Sequence, residues 1–219
     1  MSDPDFAVAL MAGGRSTRMG QDKALLKDPG GRELWQNQWN LLQQMQAVEE
    51  FISCRPDQAY FKDSHARLVF DAWPDAGPMG GIVSCLEAMQ SSRLLVLAVD
   101  LPNLPPLLLR QLLETSARPA SSMENPPSAI RGAVWRCNHQ LEPLCAVYPR
   151  EVAADGRRRI ASGNHSLQQW ILCNPDLFQI MEAPADFSDF FLNLNDPDTW
   201  EKWVTHQEGT GRASSGTSA

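Results

Sequence analysis

Short unbroken apolar runs alternate along this chain with stretches whose apolar positions recur at helical spacing. Phe6-Ala7-Val8-Ala9-Leu10-Met11 is one such run, and it stops at Ala12-Gly13-Gly14. A strand covered on both faces of a parallel sheet reads this way. Leu34, Trp35, Gln38, Trp39, Leu41, Leu42 and Met45 then fall on one helical face. Phe51–Cys54 and Leu68–Phe70 read as a second and a third strand, the latter closed by Asp71, with a short helix over Asp57–Ser64 between them. Gly77-Pro78-Met79-Gly80-Gly81 opens a helix over about Ile82–Gln90. Leu94–Val99 is the clearest buried strand and ends at Asp100-Leu101-Pro102. Pro105-Pro106 starts a helix carried by Leu107–Leu113, because proline fits the first helical turn. Strand and helix alternate, which predicts an α/β fold: a three-layer, doubly wound, mostly parallel sheet.

The pattern then loosens. Arg118–Pro127 reads as a loop, Ser128–Arg131 and Leu144–Tyr148 as strands, Gln168–Leu172 as a helix and Leu177–Met181 as extended. Asp196-Pro197 has the form of an N-cap followed by a first-turn proline. Trp200, Trp203, Val204 and Gln207 continue that last helix, and Gly209–Ala219 offers little to bury and is expected to be a disordered tail. A single domain over residues 1–208 follows, with halves at about 6–117 and 128–208. The 219 residues, 43% hydrophobic and 21% charged, suffice for a sizeable core. A net charge of −7 argues against nucleic acid as a partner. The five cysteines, Cys54, Cys85, Cys137, Cys145 and Cys173, form no C-x-x-C pair. Their pattern fits neither a zinc site nor a disulfide framework, and it suits a reducing compartment. The acidic start Met1–Asp5 is unlike a signal peptide, and Phe6–Ala12 is too short to span a bilayer. The expectation is a cytoplasmic protein that meets no membrane.

Chemistry concentrates in Met11-Ala12-Gly13-Gly14-Arg15-Ser16-Thr17-Arg18-Met19-Gly20-Gln21-Asp22-Lys23. A strand runs into paired glycines, which lack Cβ atoms and can point successive N–H groups into one concavity that holds phosphate oxygens. Ser16 and Thr17 add hydroxyls. Arg15, Arg18 and Lys23 add positive charge against the acidic whole. The spacing matches neither the dinucleotide fingerprint G-x-G-x-x-G nor the Walker A loop, since Gln21 follows Gly20 and the lysine falls at 23. A kinase glycine loop fails as well, because no further kinase motif follows.

The block resembles the signature L-A-G-G-x-S-x-R-M-G-x-D-K of nucleoside triphosphate transferases related to the molybdenum cofactor guanylyltransferases, with Met11 in place of the leucine. Further pieces come in the same order: Gly77-Pro78-Met79-Gly80-Gly81-Ile82 is similar to G-P-L-A-G-I, and Val99-Asp100-Leu101-Pro102 to C-D-M-P. Glu142-Pro143-Leu144-Cys145-Ala146-Val147-Tyr148 is similar to Q-P-L-F-A-L-Y, and Asn193-Leu194-Asn195-Asp196-Pro197 to N-I-N-T-P. The likeness spans roughly residues 6–205 and departs at Leu101, Glu142 and Asp196. It implies transfer of GMP from GTP to molybdopterin with release of pyrophosphate and with Mg²⁺ as cofactor. It also implies partners among molybdenum cofactor synthesis proteins and molybdoenzyme chaperones.

Transfer at the α-phosphate is governed by positioning and charge. That assigns Arg18 and Lys23 to the phosphates. Asp100, at the carboxyl end of the most apolar strand, is assigned to Mg²⁺, where open α/β sheets bind ligands. Asn195 adds a neutral oxygen to the metal. The expected nucleotide contacts are Met11, Ala12, Gly13, Gly14, Ser16, Lys23, Asp71, Gly77, Gly80 and Asp100, with either Ser53 or Cys54. The Asp71 carboxylate suits the N1–H and N2–H₂ groups of guanine. Gly163–Leu167 resembles a family segment facing the pterin and reads equally as a helix cap. The acceptor phosphate is already ionised, with a second pKa of about 6, and needs no dedicated base. Accordingly none of His65, His139, His165 and His206 falls in a motif block. Other readings of the same residues are a cytidylyltransferase using CTP, a sugar-phosphate nucleotidylyltransferase and a nucleotide-binding module without turnover.

Overall fold

A computed structural model describes residues 5–14, 18–117 and 132–214. Seven strands form one sheet in the order β3-β2-β1-β4-β6-β5-β7. They are β1 (Ala7–Met11), β2 (Glu49–Cys54), β3 (Arg67–Phe70), β4 (Arg93–Ala98), β5 (Gly132–Cys137), β6 (Gln140–Pro149) and β7 (Phe178–Glu182). Strands β1 to β4 pair in parallel, β6 runs antiparallel between β4 and β5, and β7 pairs in parallel with β5. The mostly parallel α/β sheet expected from the strand–helix alternation is therefore present.

The apolar runs of β1 and β4 are buried on both faces, as their lack of alternation requires, while β3 at the sheet edge leaves Phe70 exposed. Val8 and Leu10 face a core built with α1 (Leu34–Gln43), α3 (Pro106–Ala117) and α6 (Pro197–Ser214). Ala7, Ala9 and Met11 face a second core built with α2 (Pro78–Ala88) and α5 (Leu167–Leu172). Helix α4 (Ala153–Ala161) lies on that same side, where Val83 of α2 and the Trp170 ring of α5 crowd against Gly156. Three layers result. Tryptophans 35, 39 and 203 belong to the first core, with Trp200 packed against it, which is the packing role their spacing suggested.

The second half departs from the sequence pattern. The loop and strand expected over residues 118–131 lie outside the described residues. Strand β5 follows; its apolar run is only Ala133-Val134-Trp135, cut short by Arg136, and the Asn138-His139 turn comes directly after the strand. Both turn residues take positive φ, 48° and 65°, as a tight hairpin turn demands. Helix α4 is also absent from the pattern. Its Ala-Asp-Gly-Arg-Arg-Arg stretch carries little apolar periodicity; Ala153 and Ile160 pack against the second core, Asp155 and Arg159 pair within the helix at 2.8 Å, and Arg157 meets Glu87 of α2 at 3.3 Å. The last helix begins where expected, with Asp196 accepting from the Thr199 N–H at 2.9 Å. It continues to Ser214, so the tail expected from Gly209 onward starts as helix. A helix nucleated by docked tryptophans propagates through weak formers at little cost per residue. No helix among the described residues is long and apolar enough to cross a membrane. Four cysteines are buried, Cys173 is exposed, and all are free.

Leu10 is fully buried at the centre of the sheet, in the strand that carries the glycine-rich loop. Leu10→Ala should lower unfolding free energy by about 3 kcal/mol. In urea the midpoint should fall with an unchanged slope, and an unmoved midpoint would contradict the packing described.

Candidate active site

Register fixes where the chemistry falls. Met11 stands opposite Ser53 of β2 and Ala98 of β4, and Cys54 opposite Phe70 of β3. Four parallel strands thus end at one edge, and a cavity of about 960 Å³ opens there. Its wall includes Met11, Ala12, Gly13, Gly14, Arg18, Lys23, Asp71, Gly77, Asp100 and Asn195. These are ten of the expected site residues, drawn from segments up to 184 positions apart in sequence (Met11 to Asn195). Ser16 lies outside the described residues. Gly80 does not line the cavity, and Gly81 does.

Lys23 sits on a 3-10 turn whose N-cap is Asp22, the Asp22 Oδ1 accepting from the Ala24 N–H at 3.1 Å. The Lys23 ammonium donates to Asp100 Oδ2 at 3.1 Å and to Asn195 Oδ1 at 2.6 Å. Asp100 is held at the end of β4, and its carbonyl accepts from the Leu194 N–H at 3.0 Å. That bond locks the closing segment, and with it Asn195, against the strand end. Arg18 lines the same cavity and is exposed.

On the β3 side, burial raises the Asp71 carboxyl above its ordinary range while the Trp73 N–H, donating at 2.7 Å, pulls it back. Gly80 belongs behind this carboxylate: a Cβ there would lie 2.7 Å from both Asp71 Oδ2 and the Trp73 carbonyl. Its role is to let α2 approach Asp71, which explains its absence from the wall. Gly77 ends the preceding turn at φ 59° and ψ −147°, a conformation open to glycine, and so admits the chain to α2. Ser53 and Cys54 both line the cavity. Burial pushes the Cys54 thiol up to about 11, so it is not poised as a nucleophile.

Sequence reasoning assigned no role to Arg55, Gln58 or Tyr60, nor any to Asp22 beyond its place in the motif. Arg55 follows β2 at the same edge as the glycine loop and donates to the carbonyls of Gly13 at 3.3 Å and Gly14 at 2.6 Å. A cation directly past the end of the second strand was the available signal. Glu142 lies on β6, two positions before the wall residue Leu144, and does not itself reach the cavity. None of the four histidines lines the cavity, and no group of three or more His, Cys, Asp or Glu side chains that could hold a metal ion occurs among the described residues.

Known proteins are similar to this chain over most of its length. A family model for the MobA-like NTP transferase domain matches residues 8–174. The chain is 35% identical over 201 residues to a probable molybdenum cofactor guanylyltransferase of Chloroflexus aggregans, covering 86% of this chain and 88% of that protein. It is 31% identical to a molybdenum cofactor guanylyltransferase of Xanthomonas euvesicatoria, covering 89% and 92% of the two chains. In fold it is similar to molybdopterin-guanine dinucleotide biosynthesis protein A from Archaeoglobus fulgidus, with a TM-score of 0.66 at 21% identity over 93% of this chain and 99% of that one.

Burial pushes the Glu142 carboxyl up from 4.5 to about 7. The folded chain therefore binds a proton that the unfolded chain has released between those values. The resulting stability is full below pH about 4.5 and is lost as pH rises through about 7. Glu142→Gln should gain about 1–2 kcal/mol over the parent at pH 8 and nothing at pH 4, allowing for solvent at this half-buried site. Denaturation curves across that range check it, and parallel pH profiles for the two proteins would contradict it.

Proposed function

This chain belongs to the MobA-like NTP transferase family, and from that premise we propose that it transfers GMP from GTP to the terminal phosphate of molybdenum-bearing molybdopterin, releasing pyrophosphate. It is a nucleotidyltransferase, and the observation that carries the assignment is the meeting of Lys23, Asp100 and Asn195 beside the glycine-rich loop. Three distant segments supply them, each anchored in the core by a buried neighbour: Ala24, Leu101 and Leu194.

The β- and γ-phosphates lie against the loop Ala12–Gly14, with Arg18 and Lys23 offsetting their charge. Mg²⁺ fits the remaining groups. The Asp100 carboxylate and the Asn195 amide oxygen converge on one cation, the Lys23 ammonium. A carboxylate and a neutral oxygen suit a hard ion that keeps its waters and takes further oxygens from phosphate. Asp100 and Asn195 would hold the ion, which when bound spreads the charge of the transferring phosphate and of the leaving pyrophosphate. Asp71 accepts from N1–H and N2–H₂ of guanine, a donor pair that cytosine lacks. The acceptor phosphate attacks already ionised, in keeping with a wall free of histidine. Partners from cofactor synthesis and molybdoenzyme assembly follow from the same reading.

Purified protein given GTP, Mg²⁺ and molybdenum-loaded molybdopterin should release pyrophosphate in step with dinucleotide product. Absence of both would refute the reading. Asp100→Asn should lower kcat/KM about a hundredfold or more. In a thermal-shift panel of GTP, CTP, ATP and UTP, the parent should respond most to GTP. Asp71→Asn should lose that preference, and a parent that prefers CTP would instead identify a cytidylyltransferase.

A further inference from the structure

The cavity meant for a polyanion has a carboxylate in its wall that neither the phosphates nor the metal explains. Asp22 lines it, and its Oδ2 accepts from Arg55 Nη2 at 3.1 Å, Gln58 Nε2 at 2.7 Å and the Tyr60 hydroxyl at 2.8 Å. The donors do not stop there. Arg55 Nη1 reaches the carbonyls of Gly13 and Gly14, and Gln58 Nε2 donates to the carbonyl of Ala12 at 3.0 Å. Gln58 is buried, and its amide orientation is fixed because Oε1 accepts from the Arg55 N–H at 2.8 Å. One carboxylate thus holds two side chains that between them grip three successive carbonyls of the glycine-rich loop.

Peptide geometry converts that grip into a function. In a trans peptide the C=O of one residue and the N–H of the next point in opposite directions. Drawing the Ala12 and Gly13 carbonyls toward Gln58 and Arg55 turns the Gly13 and Gly14 N–H groups the other way. Paired glycines resist no particular orientation by themselves, so the loop needs an external clamp to keep its amides aimed. The same Asp22 caps the turn that carries Lys23, so loop and lysine share one anchor.

We propose that Asp22, acting through Arg55 and Gln58 and braced by Tyr60, is a positioning residue that sets the peptide planes of the glycine-rich loop for phosphate binding. The proposal rests on the reading that a triphosphate binds there. It carries a sign that a purely electrostatic role would reverse. Removing a negative charge from the wall of a polyanion site tightens binding if only the field matters. Removing the anchor of the clamp weakens it.

The test is titration calorimetry of the full chain with GTP and Mg²⁺, and with guanosine, which lacks phosphates. Asp22→Asn should weaken GTP at least tenfold while guanosine affinity stays within twofold of the parent. Tyr60→Phe should move GTP in the same direction by a smaller factor. Asp22→Asn binding GTP as tightly as the parent, or more tightly, overturns the proposal, as does an equal loss for guanosine. If Asp22→Asn does not fold by circular dichroism, Arg55→Lys decides, since it keeps the charge and loses the fork. It should also lose at least tenfold for GTP alone, and an unchanged affinity overturns the proposal. A parent chain that binds no GTP at all refutes the triphosphate site itself, a failure separate from tight binding by the variants.

Discussion

The register between β1 and β4 is the constraint on which the rest depends. Met11 pairs with Ala98, so the glycine-rich loop leaves the sheet beside the segment that bears Asp100. A slip of one residue would turn Val8 and Leu10 from one core to the other, and both cores are closed. Burial on two faces therefore does more than stabilise the strands. It brings the glycine-rich turn and an acidic side chain to one edge, where α/β sheets take ligands.

At that edge the acidic chain gathers mixed charge. Lys23 is largely withdrawn from solvent between Asp100 and Asn195, and Arg55 between Asp22, Asp57 and the loop carbonyls. Partly buried pairs of this kind contribute little net stability, because desolvation opposes the attraction. They fix geometry, and they hold Lys23 and Arg55 in place at the cavity wall. Under the proposed reading three of the five aspartates in the cavity wall divide the work, with Asp100 directed toward the ion, Asp71 toward the base and Asp22 toward the loop. The acidity of the whole protein is thus no obstacle to a triphosphate, since the relevant charges act within a few ångströms.

Much of this was legible in the sequence, and unevenly so. The runs at Phe6–Met11 and Leu94–Val99 announce strands because burial on both faces leaves no polar position. In the loop block Gly13, Gly14, Arg18 and Lys23 come to one cavity wall, as their fixed spacing after a strand suggested. Asn195 was reachable through its motif. The second half was harder, since β5 mixes Trp135 with Arg136 and α4 docks through the close approach of Gly156 to Val83 and Trp170 rather than by an apolar stripe. Gly80, expected at the nucleotide, stands behind the Asp71 carboxylate, and in sequence a glycine that admits a neighbour looks like one that faces a ligand. The Arg55–Gln58–Tyr60 cluster stayed hidden for a related reason. Its meaning lies in which carbonyls it grips, and that depends on tertiary contact across more than thirty residues, from Asp22 to Arg55.

The central claim is that the loop after β1 and the pair Asp100–Asn195 hold one triphosphate and one metal ion together. Anomalous scattering from crystals grown with Mn²⁺ and a non-hydrolysable GTP analogue tests it most directly. A manganese peak is expected at bonding distance from Asp100 and from phosphate oxygens that also meet the Gly13 and Gly14 amides. Manganese bound away from Asp100, or phosphates lying outside the loop, would contradict it.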